Sequence, residues 1–146
     1  MKGELTIRPM TQADTAAVAR LSGELGYPSD ADAVRRRLRA VDPADLLIVA
    51  VSDHSDPVGF IHATTVHTVE ADARVHIVGL VVSPAVRRAG IARKLIGEVE
   101  RWAAATGAEA IVVRSNTARG EAHEFYPAVG YTRIKTQAVY LKKLTE

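Results

Sequence analysis

Between Val81 and Glu100 the chain reads VVSPAVRRAGIARKLIGEVE, with arginines and a glycine where a β-branched run gives way to a helical pattern. A strand that feeds a helix through a tight, glycine-containing turn aims several backbone N–H groups at one spot. The first turn of the helix adds unsatisfied donors and a partial positive charge. Together these make an anion site, and a pyrophosphate suits it. Gly90 lets a ligand approach the backbone, and Ala92 keeps the first turn clear. Arg87 and Arg88 add positive charge at the rim, where one of them can bond a phosphate. The segment is not a P-loop, since no G-x-x-x-x-G-K-S/T occurs, and it lacks the dinucleotide fingerprint G-x-G-x-x-G. On the motif alone a plainer reading fits equally well: Gly90 relieves a tight turn and the arginines are solvated.

Such a corner needs a strand before it and a long helix after it. RVHIVGLVVS, Arg74 to Ser83, reads as the strand. Ile91, Leu95, Ile96, Val99 and Trp102 share one face at helical spacing, and Gly107 ends that helix. EAIVVRS, Glu109 to Ser115, is a buried strand reached by a helical crossover, so it should lie parallel to Arg74–Ser83. Upstream, DLLIVAVSD (45–53) and VGFIHATTVHTV (58–69) are strands on short connections, an antiparallel meander with Arg74–Ser83. The chain starts with a short strand, Glu4 to Arg8, closed by Pro9. Thr11, with Asp14 three positions on, starts a helix with an apolar stripe of Val18, Leu21 and Leu25. Ser29, with Asp32 three later, caps a second helix that turns Val34, Leu38 and Val41 inward. ARGEAHEFY is a short helix, and GYTRIK and QAVYLKKL are the last two strands.

The order β α α β β β α β α β β gives one α+β domain over residues 1–146. Its sheet is mixed and mostly antiparallel, with helices on both faces and a parallel pair in the middle. Strands and helices do not alternate throughout, so this is no Rossmann order.

The composition is that of a soluble globular protein, 47% hydrophobic and 25% charged. A formal net charge of +2 gives no general electrostatic case for nucleic acid. The arginine run AVRRRLRAV lacks interleaved aromatics and is offset by neighbouring acids, so a nucleic-acid module on it is a weak alternative. There are no cysteines, which excludes disulfides, a thiol nucleophile and Cys-ligated metal; no metal site is expected. MKGELTIRPM lacks the apolar region of a signal peptide, and no apolar run reaches the ~18 residues of a membrane span. A cytoplasmic protein is expected.

GLVVSPAVRRAGIARKL resembles the coenzyme A-binding motif of the GNAT superfamily of N-acetyltransferases. That motif is R/Q-x-x-G-x-G/A after a strand and ahead of a long helix; here it reads Arg87, Arg88, Ala89, Gly90, Ile91, Ala92. SNTARGEAHEFYPAVGY, Ser115 to Tyr131, is similar to the family's Asn, AH-x-FY and GY/GF block. The element order agrees as well, so the resemblance covers nearly the whole chain and is most specific between Val75 and Tyr131.

The resemblance implies the acyl-CoA N-acyltransferase fold and transfer of acetyl from acetyl-CoA to a primary amine by direct attack in a ternary complex. It implies that the strands Arg74–Ser83 and Glu109–Ser115 splay apart to admit acetyl-CoA. Main-chain groups of Leu80, Val81 and Val82 would pair with pantetheine, and an N–H at Leu80 or Val81 would meet the developing oxyanion. Amides from Arg88 through Arg93 would take the pyrophosphate, and Asn116 would contact pantetheine or cap the following helix. The family commonly has a glutamate six residues before the last apolar position of the central strand. Here that position is His76, a residue type suited to base catalysis near neutral pH. His62, His67, Glu70 and a water chain stay open as alternatives. Tyr126 matches the acid that protonates the leaving thiolate, with packing under the cofactor as its plain alternative.

The implied acceptor groove involves GELGYPSDAD and KTQA. Glu24, Tyr27, Asp30 and Asp32 would form an anionic or aromatic rim, although Asp30 and Asp32 fit equally well as helix N-terminal acids. A small-molecule amine is the preferred acceptor and a protein amine the alternative. Neither nucleic acid nor membrane is expected as a partner, and a homodimer stays open. The rival reading is a non-catalytic acyl-CoA sensor on the same fold, kept open by His76 in an acid's place and by Pro127 beside Tyr126.

Overall fold

The computed structural model describes residues 4–24, 26, 28–53, 56–86, 90–115 and 120–145, without the side chains of 120–123. β1 (Leu5–Pro9) ends where proline withdraws an amide from the ladder. Thr11 and Asp14 then close a capping box, and the Thr11 amide donates to Asp14 Oδ2 at 2.8 Å. A 3-10 turn over Gln12–Asp14 runs into α1 (Thr15–Glu24). Asp14 is only 3% exposed. It accepts from both terminal nitrogens of Arg8, at 2.9 and 2.8 Å, and those bonds hold its carboxyl below the usual carboxylate range. α2 (Ala31–Ala40) is capped by Asp30, which accepts from the Ala33 amide at 2.7 Å. Ser29, the expected cap, lies one residue too early and accepts from Arg37 instead.

The sheet order is β1-β2-β3-β4-β5, with β2 (Leu46–Ser52), β3 (Pro57–Val66), β4 (Arg74–Val82) and β5 (Ala110–Val113). Neighbours pair antiparallel except β4 and β5, which are parallel and joined through α3 (Ile91–Thr106). The meander and the crossover are thus as expected. Gly107, at φ +84°, ends α3, and the Glu109 amide donates to Ala73 O at 2.9 Å to lead into β5.

Strand alternation splits the sheet into two faces. Val49, Val51, Phe60 and Val81 pack with Val18 and Leu21 of α1 and Val34 of α2. Gly59, one residue from Phe60, belongs to the opposite face. A Cβ built on Gly59 would meet Ile91 Cγ2 at 3.4 Å, so α3 covers that second face. Leu95, Ile96 and Val99 of α3 are buried there.

The chain divides into two compact units, Met1–Arg114 and Ser115–Glu146. The second contains α4 (Gly120–Ala128), which continues through Pro127 and is closed by Gly130 at φ +98°. GYTRIK and QAVYLKKL, expected as strands, carry no regular secondary structure, and the described residues hold five strands. Their apolar side chains stand exposed, Ile134 at 72% and Tyr140 at 92%. An apolar pattern selects which face of a strand is buried, but a strand forms only with a partner ladder and a surface to pack on. The parallel pair accordingly forms the β5 edge of these five strands. Among the described residues no helix is long and apolar enough to cross a membrane.

Candidate active site

The parallel pairing of β4 with β5 runs only from Arg74↔Ala110 to Ile77↔Val113. β4 continues to Val82 without a β5 partner among the described residues. On that side the main-chain groups along Leu80, Val81 and Val82 have no strand partner among the described residues. Within the same stretch β4 bulges: His62 pairs with Gly79 and Ala63 with Ile77, so Val78 has no opposite residue.

The corner beyond β4 is built on Ser83. Its amide donates to Val58 O at 2.8 Å, its carbonyl accepts from Val86 N at 3.1 Å, and its hydroxyl donates to Glu24 Oε2 at 3.4 Å. A 3-10 turn, Pro84–Val86, follows. Arg87, Arg88 and Ala89 lie outside the described residues. Gly90 is the N-cap of α3 at φ +79°, a left-handed backbone that favours glycine, and its carbonyl accepts from Lys94 N at 3.1 Å. Being glycine, it offers no side-chain cap. The amides of Ile91, Ala92 and Arg93 have no acceptor inside the helix. Ile91 is buried against Gly59, Ala92 half-buried and Arg93 exposed, so the first turn is anchored on one side and open on the other.

A polar strip occupies the α1 side of the sheet next to this edge. His62 and Thr64 follow Phe60 at alternate positions of β3, and His76 lies directly opposite Thr64. Asp45 Oδ2 stands 2.9 Å from His62 Nε2, and Thr64 Oγ1 donates to Asp45 Oδ1 at 2.7 Å. Arg114 Nη1 stands 2.9 Å from His76 Nδ1. A guanidinium only donates, so Nδ1 of His76 is the acceptor and the ring proton sits on Nε2. Burial, then Arg114 and Arg74, push His76 below the usual imidazole range. His67 and Glu70 are exposed beyond β3. The described acids of the expected acceptor rim all have partners: Glu24 with Arg20 and Ser83, Asp30 as a cap, and Asp32 with Arg35 at 2.6 Å. Tyr27 lies outside the described residues.

A strand that outruns its parallel neighbour, beside a glycine-capped helix, is the arrangement that the sequence resemblance implied. The sequence profile of the acetyltransferase (GNAT) family matches residues 15–131. The chain belongs to that family. As a GNAT protein it is an acetyl-CoA-dependent acetyltransferase, with acetyl-CoA as cosubstrate. The fold is shared with the aminoglycoside N-acetyltransferase AAC(6')-Iy, solved with CoA, at a TM-score of 0.83 and 20% identity, covering 97% of this chain and 96% of that one. AAC(6')-Ih of Acinetobacter baumannii matches at a TM-score of 0.79 and 21% identity, covering 98% and 100%. A transcriptional regulator of Bacillus halodurans matches at a TM-score of 0.80 and 22% identity, covering 96% and 100%. No curated protein sequence matches the chain significantly.

In this acetyltransferase Tyr126 belongs to α4 of the second unit. Its ring packs edge-on against Phe125 at 5.2 Å and Tyr131 at 6.0 Å, and its carbonyl accepts from the Tyr131 amide at 3.0 Å. Asn116 lies outside the described residues. Sequence reasoning missed Asp45, Thr64 and Arg114, which meet the histidines only through strand pairing. One signal was present: His62 and Thr64 alternate as polar residues in an apolar strand, and half-buried polar groups need partners.

Proposed function

We propose that this GNAT protein acetylates the primary amine of a small molecule by direct attack on acetyl-CoA, as a single domain over residues 1–146. The family profile spans both compact units, which supports the one-domain reading. The observation that carries the proposal is the stretch of β4 beyond Ile77 that no described strand pairs on the β5 side, together with the glycine N-cap of α3.

These features fit the cosubstrate. The open β4 edge suits the pantetheine amides, through main-chain groups of Leu80, Val81 and Val82. The first-turn amides from Gly90 to Arg93, with Arg87, Arg88 and Ala89 ahead of them, suit the diphosphate. Asn116 either contacts pantetheine or caps α4. Acetyl-CoA supplies an activated acetyl thioester. An amide of Leu80 or Val81 is the donor to the carbonyl oxygen as it gains charge. The Tyr126 hydroxyl is the proton source for the thiolate. His76 offers Nε2–H, since Arg114 occupies its lone pair, so we assign it as a donor toward the acceptor rather than as the base.

Two of the structural relatives are named as aminoglycoside N-acetyltransferases, which supports a small, amine-rich acceptor. Thiol release from acetyl-CoA across a panel of small amines, with CoA affinity measured by calorimetry, tests the proposal. Turnover on at least one amine class is expected; CoA binding with no turnover on any class contradicts transfer.

A further inference from the structure

We propose that His62, fixed by Asp45 and Thr64, is the base that takes the acceptor amine's proton; this rests on the transferase reading above. β2 and β3 pair with Leu46 opposite Ala63 and Leu47 opposite His62, which brings Asp45 beside Thr64. The Thr64 hydroxyl fixes one carboxylate oxygen at 2.7 Å, and the other faces His62 Nε2 at 2.9 Å. A carboxylate has no proton to donate, so Nε2 carries the hydrogen and Nδ1 keeps the lone pair. Among the described residues nothing bonds Nδ1, and it is not a buried nitrogen left without a partner. The side chains are 12% exposed at Asp45 and 24% at His62, so the carboxylate is the more shielded of the two and the ring keeps some contact with solvent. A proton taken at Nδ1 leaves an imidazolium in contact with that carboxylate, which stabilises it.

The location suits the task. His62 lies opposite Gly79, at the β4 bulge. A Cβ on Gly79 would stand 3.9 Å from His62 Cβ and 3.9 Å from Phe60 Cε1, so the glycine leaves methyl-sized room beside the two side chains. Leu80 and Val81, the residues assigned to the thioester, come next along β4. His76 is on the far side of the bulge with its lone pair taken.

In the step, the nitrogen of a neutral amine bonds the acetyl carbonyl carbon while the C–S bond breaks and its electron pair leaves on sulfur. The amine's proton passes to His62 Nδ1, and the thiolate receives one from water. Asp45 and Thr64 are positioning residues, because they act through His62.

The test measures thiol release and calorimetric CoA affinity for the wild type, His62→Gln, His62→Ala, Asp45→Asn and His76→Gln. His62→Gln should lower kcat by about 100-fold or more while CoA affinity stays within about twofold, and added imidazole should restore part of the His62→Ala turnover. Asp45→Asn should lower kcat by about tenfold or more with little change in the KM for the amine, and His76→Gln should cost less than His62→Gln. His62→Gln with kcat within about threefold of wild type overturns the base assignment and leaves the transferase reading standing. So does a loss of CoA affinity in step with kcat without imidazole rescue. A wild type that binds CoA yet turns over no amine overturns both readings. If the variants misfold, nitrogen-15 imidazole spectra of the wild type decide: protonated Nε2 with bare Nδ1 at His62 is expected, and the opposite tautomer overturns the proposal.

Discussion

Replacing Gly59 by alanine puts a methyl carbon into the seat of α3 on the sheet. That carbon would stand 3.0 Å from the Val81 carbonyl oxygen, 3.3 Å from Val82 Cγ2 and 3.4 Å from Ile91 Cγ2. The closest of these is backbone and cannot rotate away, so β4 or the start of α3 must shift. Overpacking of this kind costs about 1–3 kcal/mol. Alanine also restricts the unfolded chain, which returns about 0.4–1 kcal/mol. The net expectation is a loss of about 1–2 kcal/mol, or a fall in Tm of about 3–8 °C for a domain of this size. Because Ile91 opens α3, the shift also moves the first-turn amides. Losing about 1 kcal/mol of hydrogen bonding there weakens CoA binding about fivefold. Gly97→Ala is the control: its nearest neighbour is the flexible end of Arg101 at 3.8 Å, within a helix. It should stabilise by about 0.5–1 kcal/mol and leave CoA affinity unchanged. Thermal melts and CoA calorimetry read both variants. Gly59→Ala with wild-type Tm and wild-type affinity refutes the view that Gly59 sets the height of α3 over the sheet.

At Gly90 the space is open and only the left-handed backbone resists a side chain, so Gly90→Ala should cost about 1–2 kcal/mol in a melt and Gly90→Asn less. Gly90→Glu should stay folded and lose CoA binding by calorimetry, because its carboxylate repels the phosphates. Asp14 has a folded-state pKa below its unfolded value, so its contribution is complete above about pH 4 and is lost as pH falls through the folded value. Asp14→Asn should cost about 1–3 kcal/mol at pH 7 and flatten the acid side of the Tm profile. His76 is also lowered, so below about pH 6.5 the unfolded chain binds more protons and stability falls with pH; His76→Gln should remove that slope from the same profile.

The sheet, both N-terminal helices and the elbow were legible because their signals are local. Thr11 and Asp14 announce a cap, Gly90 and Gly107 bracket an apolar 3.6-residue period, and short connections force the meander. Ser29 misled because Asp30, next to it, is an equally good cap, and only backbone direction decides between them. The segments 130–135 and 137–144 misled because an apolar pattern does not reveal whether a neighbouring ladder exists. The motif rule led to His76, but the ion that blocks it, Arg114, lies 38 residues away in sequence. Asp45 and His62 are likewise 17 residues apart and become partners only in the β2–β3 register.

In the proposed function the β4 stretch beyond Ile77 and the Gly90 corner hold the acyl carrier. Amide chemical shifts followed during a CoA titration test it most directly. The largest changes are expected on Leu80, Val81 and Val82 and on Gly90 through Arg93. Saturated binding that leaves those amides unmoved while others shift would contradict it.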